Sequence, residues 1–148
     1  MKLSVVQLAI AILFLGSVSQ AQVTCDSIAG IAGSYLNSGT ENSIFISDGQ
    51  VYRAFLQDDE AAEFNTTFFG GSTYRIAVSA GQRADYVIFE IWDEQDMLLF
   101  SNVDQSNAPY WDFKITSTMQ CKIQTRLDPN KISSGCAILL IGFEKSTY

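Results

Sequence analysis

The sequence predicts an all-β protein: an antiparallel β-sandwich, jelly-roll-like, with a short helical segment near the N-terminus. Three observations predict it. About eight or nine short apolar runs recur at a spacing of roughly ten residues, the rhythm of a sandwich or a barrel. Most of these runs alternate apolar and polar residues, the period of a half-buried strand. There is no alternation of strand-like and helix-like segments that would make a parallel βαβ sheet.

Residues 1–21 read as a signal peptide: Lys2 is the basic start, Val5 to Leu15 the apolar run, and Ser19-Gln20-Ala21 the cleavage box. The run is short of the roughly 20 apolar residues that span a bilayer. Gln22-Val23-Thr24 before Cys25 is not a lipoprotein box. Residues 22–148 then form one β-sandwich domain, long enough for a sizeable core.

Asp26 to Leu36 puts Ile28, Ile31, Ala32, Tyr35 and Leu36 at helical spacing, with Asp26 as N-cap. Gly30 and Gly33 each weaken a helix by about 1 kcal/mol, so an ordered loop competes with a helix packed on the sandwich edge. Ile44 to Ile46 is a short β-like run. In Gln50 to Leu56, Tyr52, Ala54 and Leu56 share one face and Val51, Arg53 and Phe55 the other. A charged turn at Gln57–Glu60 leads to a returning strand over Ala62–Phe69, and Gly70-Gly71 allows a tight turn with positive φ.

Tyr74–Val78, Tyr86–Trp92 and Met97–Phe100 read as an antiparallel meander around which the rest is arranged. Tyr110–Ile115 turns Trp111, Phe113 and Ile115 inward. Met119, Cys121 and Ile123 are the inward set of the next strand. Asp128-Pro129-Asn130 makes a turn, and Cys136–Phe143 is apolar on both faces, as in a central strand.

The formal charge is −7, and −8 once Lys2 leaves with the signal. No basic cluster exists to hold nucleic acid or an anionic membrane. The absence of histidine excludes a Ser-His-Asp triad, a Cys-His dyad and a His-ligated zinc. Three cysteines in an exported chain mean one disulfide and one thiol, or an intermolecular link. Cys121 and Cys136, in neighbouring runs joined by a turn, are the natural pair, and a loop of that size stabilises by about 3 kcal/mol. Cys25 competes for either partner.

The series 68–78, 86–102, 110–127 and 135–143 resembles small exported proteins of Bacteroidetes-type bacteria. It is also loosely similar to the pre-peptidase C-terminal domains that accompany secreted hydrolases, with Asp93 and Leu99-Phe100 in the hairpin. The resemblance implies a non-catalytic accessory or binding domain in a bacterial envelope.

Three kinds of chemistry have candidate residues. Asp93, Glu94 and Asp96 crowd one turn, as ligands for calcium would, though without EF-hand spacing; Asp58–Glu60 is a weaker second cluster. No other cofactor is expected. Tyr52, Tyr86, Trp92 and Tyr110 lie opposite the clearest core sets, where rings stack a glycan or a peptide; packing is the competing role. Glu63 and Glu90 lie within strands, and a carboxylate-dependent hydrolase would need such a pair. The expectation is a secreted or periplasmic, non-catalytic sandwich that binds a protein or glycan partner, or serves structurally. Its rivals are that hydrolase and an assembly subunit that pairs through a strand edge.

Overall fold

A computed structural model describes residues 25–39 and 43–146; the signal peptide expected at 1–21 lies outside the described residues. The chain runs α1 (Cys25–Asn37), β1 (Ser43–Ser47), β2 (Tyr52–Gln57), β3 (Ala61–Phe68), β4 (Ser72–Ser79), β5 (Val87–Asp93) and β6 (Leu98–Ser101). A 3-10 turn (Asn102–Gln105) follows, then β7 (Tyr110–Ile115), β8 (Met119–Leu127) and β9 (Ser134–Ser146). All pairing is antiparallel.

One sheet has the order β1-β9-β4-β7, and β2 also pairs with β9. It is called the helix-side sheet below. Strand β9 is long enough to take β1 along 142–146 and β2 along 134–139 on one edge, and β4 along 138–143 on the other. The second sheet, β3-β8-β5-β6, packs on the first. Between them lies the main core, with Phe68, Ile76, Val78, Phe89, Ile123 and Leu139 almost wholly buried. The architecture is an antiparallel β-sandwich with one short N-terminal helix.

The inward sets follow the period-2 reading. Val87, Phe89 and Ile91 point inward, as do Cys121 and Ile123, and as do Tyr52, Ala54 and Leu56. The meander does not form. Strand β4 belongs to the helix-side sheet and β5 to the other, so only β5–β6 is a hairpin. The supposed return of β3 on β2 also crosses between sheets. An apolar face looks the same in sequence whether a strand turns back within its sheet or crosses to the facing one, because both choices point that face at the same core.

Helix α1 lies on the outer face of the helix-side sheet, against β9 and β4, and not at the sandwich edge. Its buried stripe is Ile28, Ala32 and Leu36, spaced by four. These pack on Cys136, Ile138, Leu140, Ala77 and Phe45 to make a second core. That layer explains why β9 is apolar on both faces. Gly142 allows it: a Cβ there would stand 2.8 Å from Leu36 Cδ1 and 3.0 Å from the Ile46 carbonyl oxygen. Asp26 sits inside the first turn, not at the N-cap, and pairs with Arg53 at 3.0 Å.

The cysteine pairing is corrected. The disulfide joins Cys25 to Cys136, and Cys121 is a buried free thiol. Cys121 points into the main core from β8, whereas Cys136 points outward from β9 under the helix. The two residues lie in facing sheets with their side chains on different sides of β9, so no bridge between them forms. The bridge that does form pins the first residue of α1 to the sheet.

Arg75 closes the other end of the helix. It is 5% exposed on β4, below the C-terminus of α1. Its Nη1 donates to the carbonyls of Tyr35 (3.2 Å), Leu36 (3.4 Å) and Ser38. Nε and Nη2 donate to the two Asp112 oxygens at 2.6 and 2.8 Å. The guanidinium also stacks between Phe45 (4.1 Å) and Tyr110 (4.4 Å). A cation at a helix C-terminus satisfies the last carbonyls and the dipole together.

Candidate functional site

Strand β6 pairs only with β5, and β7 only with β4, so each leaves one edge unpaired among the described strands. The two edges belong to facing sheets and stand on the same open side of the sandwich. Between them runs a groove of about 310 Å³, lined by Leu99, Phe100, Trp111, Phe113, Met119 and, at its base, Cys121. Phe100 is its centre: it stacks on Trp111 at 5.7 Å and meets Phe113 edge-on at 4.9 Å. Trp111 is 37% exposed, and Met97, Leu98 and Leu99 beside it are 47–63% exposed. Burying such surface contributes about 25 cal/mol per Å².

Local chemistry fixes these edges. Asp93 Oδ1 accepts from the amides of Gln95 (2.9 Å) and Met97 (2.8 Å), and Asp96 takes φ 57°, which sets the β5–β6 turn. A register shift at Ile91/Trp92 bends the hairpin, as bulges near edges do. Past β6, the wholly buried Asn102 accepts from the Phe89 amide at 2.9 Å and donates to the carbonyls of Val87 and Ala108 at 3.0 and 3.1 Å. It anchors the connection to β7. In the sequence, one asparagine among Ser, Asp and Gln gives no signal that it is buried.

One charge of each sign, Asp112 and Lys114, lines the groove, and the chain around β6 is acidic. No lysine or arginine occurs between Arg83 and Lys114, whereas Asp93, Glu94, Asp96 and Asp104 flank β6. Asp96 pairs with Lys122 across the sheet at 2.8 Å. Asp93, Glu94 and Asp96 do not converge as a cation site: the Asp93 oxygen is taken by backbone amides and the Asp96 oxygen by Lys122. Among the described residues, no group of three or more His, Cys, Asp or Glu is placed to hold a metal ion. Burial pushes the Cys121 thiol above its ordinary pKa, and the charges of Asp93 and Glu94 add to this, which keeps it protonated and inert.

The four rings proposed as a platform are dispersed. Tyr52 stacks on Phe64 at 4.0 Å within the sandwich rim. Tyr86 packs against the main core, and Tyr110 against the helix-side core under Arg75. Trp92 stands on the outer face of the second sheet, 5.9 Å from Lys122 Nζ. Trp111, read as a core residue, is the ring that lines an open surface.

Glu63 and Glu90 share a register level, each opposite Gln124 on β8. Two strand spacings, about 10 Å of backbone, separate them. Both point to the outer face of the sheet, Glu63 exposed and Glu90 largely covered, its side chain 15% exposed. Glu63 accepts from Gln124 at 2.7 Å, while Glu90 accepts from Ser101 at 3.3 Å and faces Arg126 at 3.9 Å.

No protein-family model matches this chain, and no curated protein matches it. Among solved structures, one that matches is PliG from Aeromonas hydrophila, described as a periplasmic lysozyme inhibitor of g-type lysozyme. It is 9% identical, covers 69% of this chain and 86% of its own, and has a TM-score of 0.49. That degree of likeness gives no ground for moving the inhibitor's activity to this chain. Fold and site together define a class: a disulfide-tied β-sandwich with an apolar groove between two edge strands.

Proposed function

We propose that the protein is an exported, non-catalytic binding protein. It takes an extended, cationic segment of a partner protein along the open side between β6 and β7. The observation that carries this reading is the apolar groove around Phe100, set between two unpaired strand edges. Unpaired edges offer main-chain hydrogen bonds to an added strand, and alternate side chains of that strand enter the groove. The acidic residues around β6 (Asp93, Glu94, Asp96 and Asp104) favour a segment carrying lysine or arginine, which also speeds encounter. The Cys25–Cys136 disulfide agrees with an oxidising compartment. A chain without histidine, whose Glu63 and Glu90 are engaged by Gln124 and Ser101, agrees with binding without turnover.

The test is an eight-residue peptide alternating valine and lysine, titrated into the protein and followed by amide NMR. The control is the valine–glutamate counterpart. Shifts confined to β6 and β7 with the lysine peptide, and about tenfold weaker binding in Trp111→Lys, are expected. Equal binding of the two peptides, or shifts on β3 in place of β6 and β7, overturns the proposal. Concentration-dependent dimers through the same edges, with no peptide binding, replace it by self-assembly.

A further inference from the structure

The opposite rim of the sandwich holds a second cavity, formed by register. Ala54 pairs with Ala137 across β2 and β9, and Ala62 pairs with Thr125 across β3 and β8. All four side chains belong to the inward sets of their strands. Facing sheets stand about 10 Å apart, a gap that large side chains normally fill. Here four small residues meet at one level and leave a cavity of about 150 Å³. Leu139 closes it on one side, and the stacked rings of Tyr52 and Phe64 roof it at the rim.

One polar atom distinguishes this cavity from a packing gap. Thr125 lines it and is only 5% exposed, yet its Oγ1 has no hydrogen-bond partner among the described residues. A buried hydroxyl without a partner is costly, so it is normally satisfied by protein, water or ligand. The cavity opens at the rim, where Arg53 and Glu63 also line it, and its apolar inner part is of the volume that holds a benzene-sized molecule.

We infer that this cavity is a binding site for a small aromatic or cyclic alcohol. The ring fills the space between Ala54, Ala62 and Ala137, and the ligand hydroxyl pairs with Thr125 Oγ1. Entry is past the Tyr52–Phe64 stack, where β2 and β3 are both edge strands. The site is separate from the β6–β7 groove and does not depend on it.

The test uses phenol and benzene as probes, followed by amide NMR and thermal melts. Wild-type protein is expected to bind phenol about fivefold more tightly than benzene, the value of one net hydrogen bond. Shifts should centre on Ala54, Ala62, Thr125 and Ala137. Thr125→Val is close in shape and should remove the preference for phenol while retaining benzene. Ala62→Leu should fill the cavity and abolish both. Should Ala62→Leu fail to fold, Ala137→Val serves the same purpose. Phenol binding that Thr125→Val leaves unchanged, or shifts elsewhere, overturns the inference. So does a cavity that holds water only and takes neither probe.

Discussion

The two sheets present their outer faces to different worlds. On the helix-side sheet, β9 turns Cys136, Ile138 and Leu140 outward, and α1 buries them. On the second sheet, β8 turns Gln120, Lys122, Gln124 and Arg126 outward, and nothing among the described residues covers them. The same strand period therefore yields a three-layer stack on one side and a bare face on the other. Only the chemistry of the outward set decides which. The covered face is held by a disulfide at one end and a buried cation at the other, whereas the bare face is held by cross-strand pairs such as Glu63–Gln124.

Removing the buried cation should break this contrast most sharply. Arg75→Ala strands Asp112 and the last carbonyls of α1, and should cost about 4 kcal/mol in urea unfolding. Gln124→Ala on the bare face should cost less than about 0.5 kcal/mol. Similar losses for the two variants would mean that the helix layer carries no special share of stability. The disulfide comes next. Its 111-residue separation closes a long loop, and Cys25→Ala with Cys136→Ala should lower stability by about 4 kcal/mol. Hydrogen exchange should show α1 opening first, with β3, β8 and β5 still protected.

Gly142 sharpens the comparison from the backbone side. Gly142→Ala places a methyl against the Leu36 side chain and the Ile46 carbonyl, which should cost about 2 kcal/mol. Leu36→Ala in the same chain should recover part of the loss if the clash with Leu36 dominates. No recovery would place the strain on the β1 backbone.

The covered face was half legible. The two-sided apolarity of Cys136–Phe143 called for a second layer, and the i, i+4 stripe of Ile28, Ala32 and Leu36 supplied one. Nothing in either pattern said that they meet, because periodicity gives a direction for each side chain and not a partner. The cysteine pairing failed for the same reason: proximity in sequence put Cys121 beside Cys136, while the alternation of β9 turns Cys136 away from the core that holds Cys121. From β2 to β9 every connection except β5–β6 crosses between the sheets, and none of those crossings shows in the sequence. Gly70-Gly71 shows how: Gly71 takes the expected positive φ of 85°, yet Gly70 is required for a different reason. A Cβ at Gly70 would stand 2.9 Å from Thr116 O and Thr118 N of the β7–β8 turn. The groove was missed because Trp111 has the alternation of a core residue. It becomes surface only because β7 ends its sheet.

The smallest expected effect separates the faces by pH. At the β8–β9 turn, Lys131 Nζ lies 2.9 Å from Asp85 and 3.7 Å from Asp128, and Asn107 donates to Asp128 at 2.8 Å. The hydrogen bond from Lys131, then that from Arg83, hold the Asp85 carboxyl at about 2, below its ordinary 3.8. Burial pushes the Asp128 carboxyl up, but the Asn130 amide, Asn107 and Lys131 bring it below its ordinary value on balance. Both folded forms therefore bind protons less readily than the unfolded chain. The resulting stabilisation is present above about pH 4 and is lost as pH falls towards 2. Lys131→Met should lower the urea midpoint slightly at pH 6, and the difference from wild type should shrink at pH 2.5. A difference that stays constant across that range would mean that Lys131 acts by packing its stem and not by its charge.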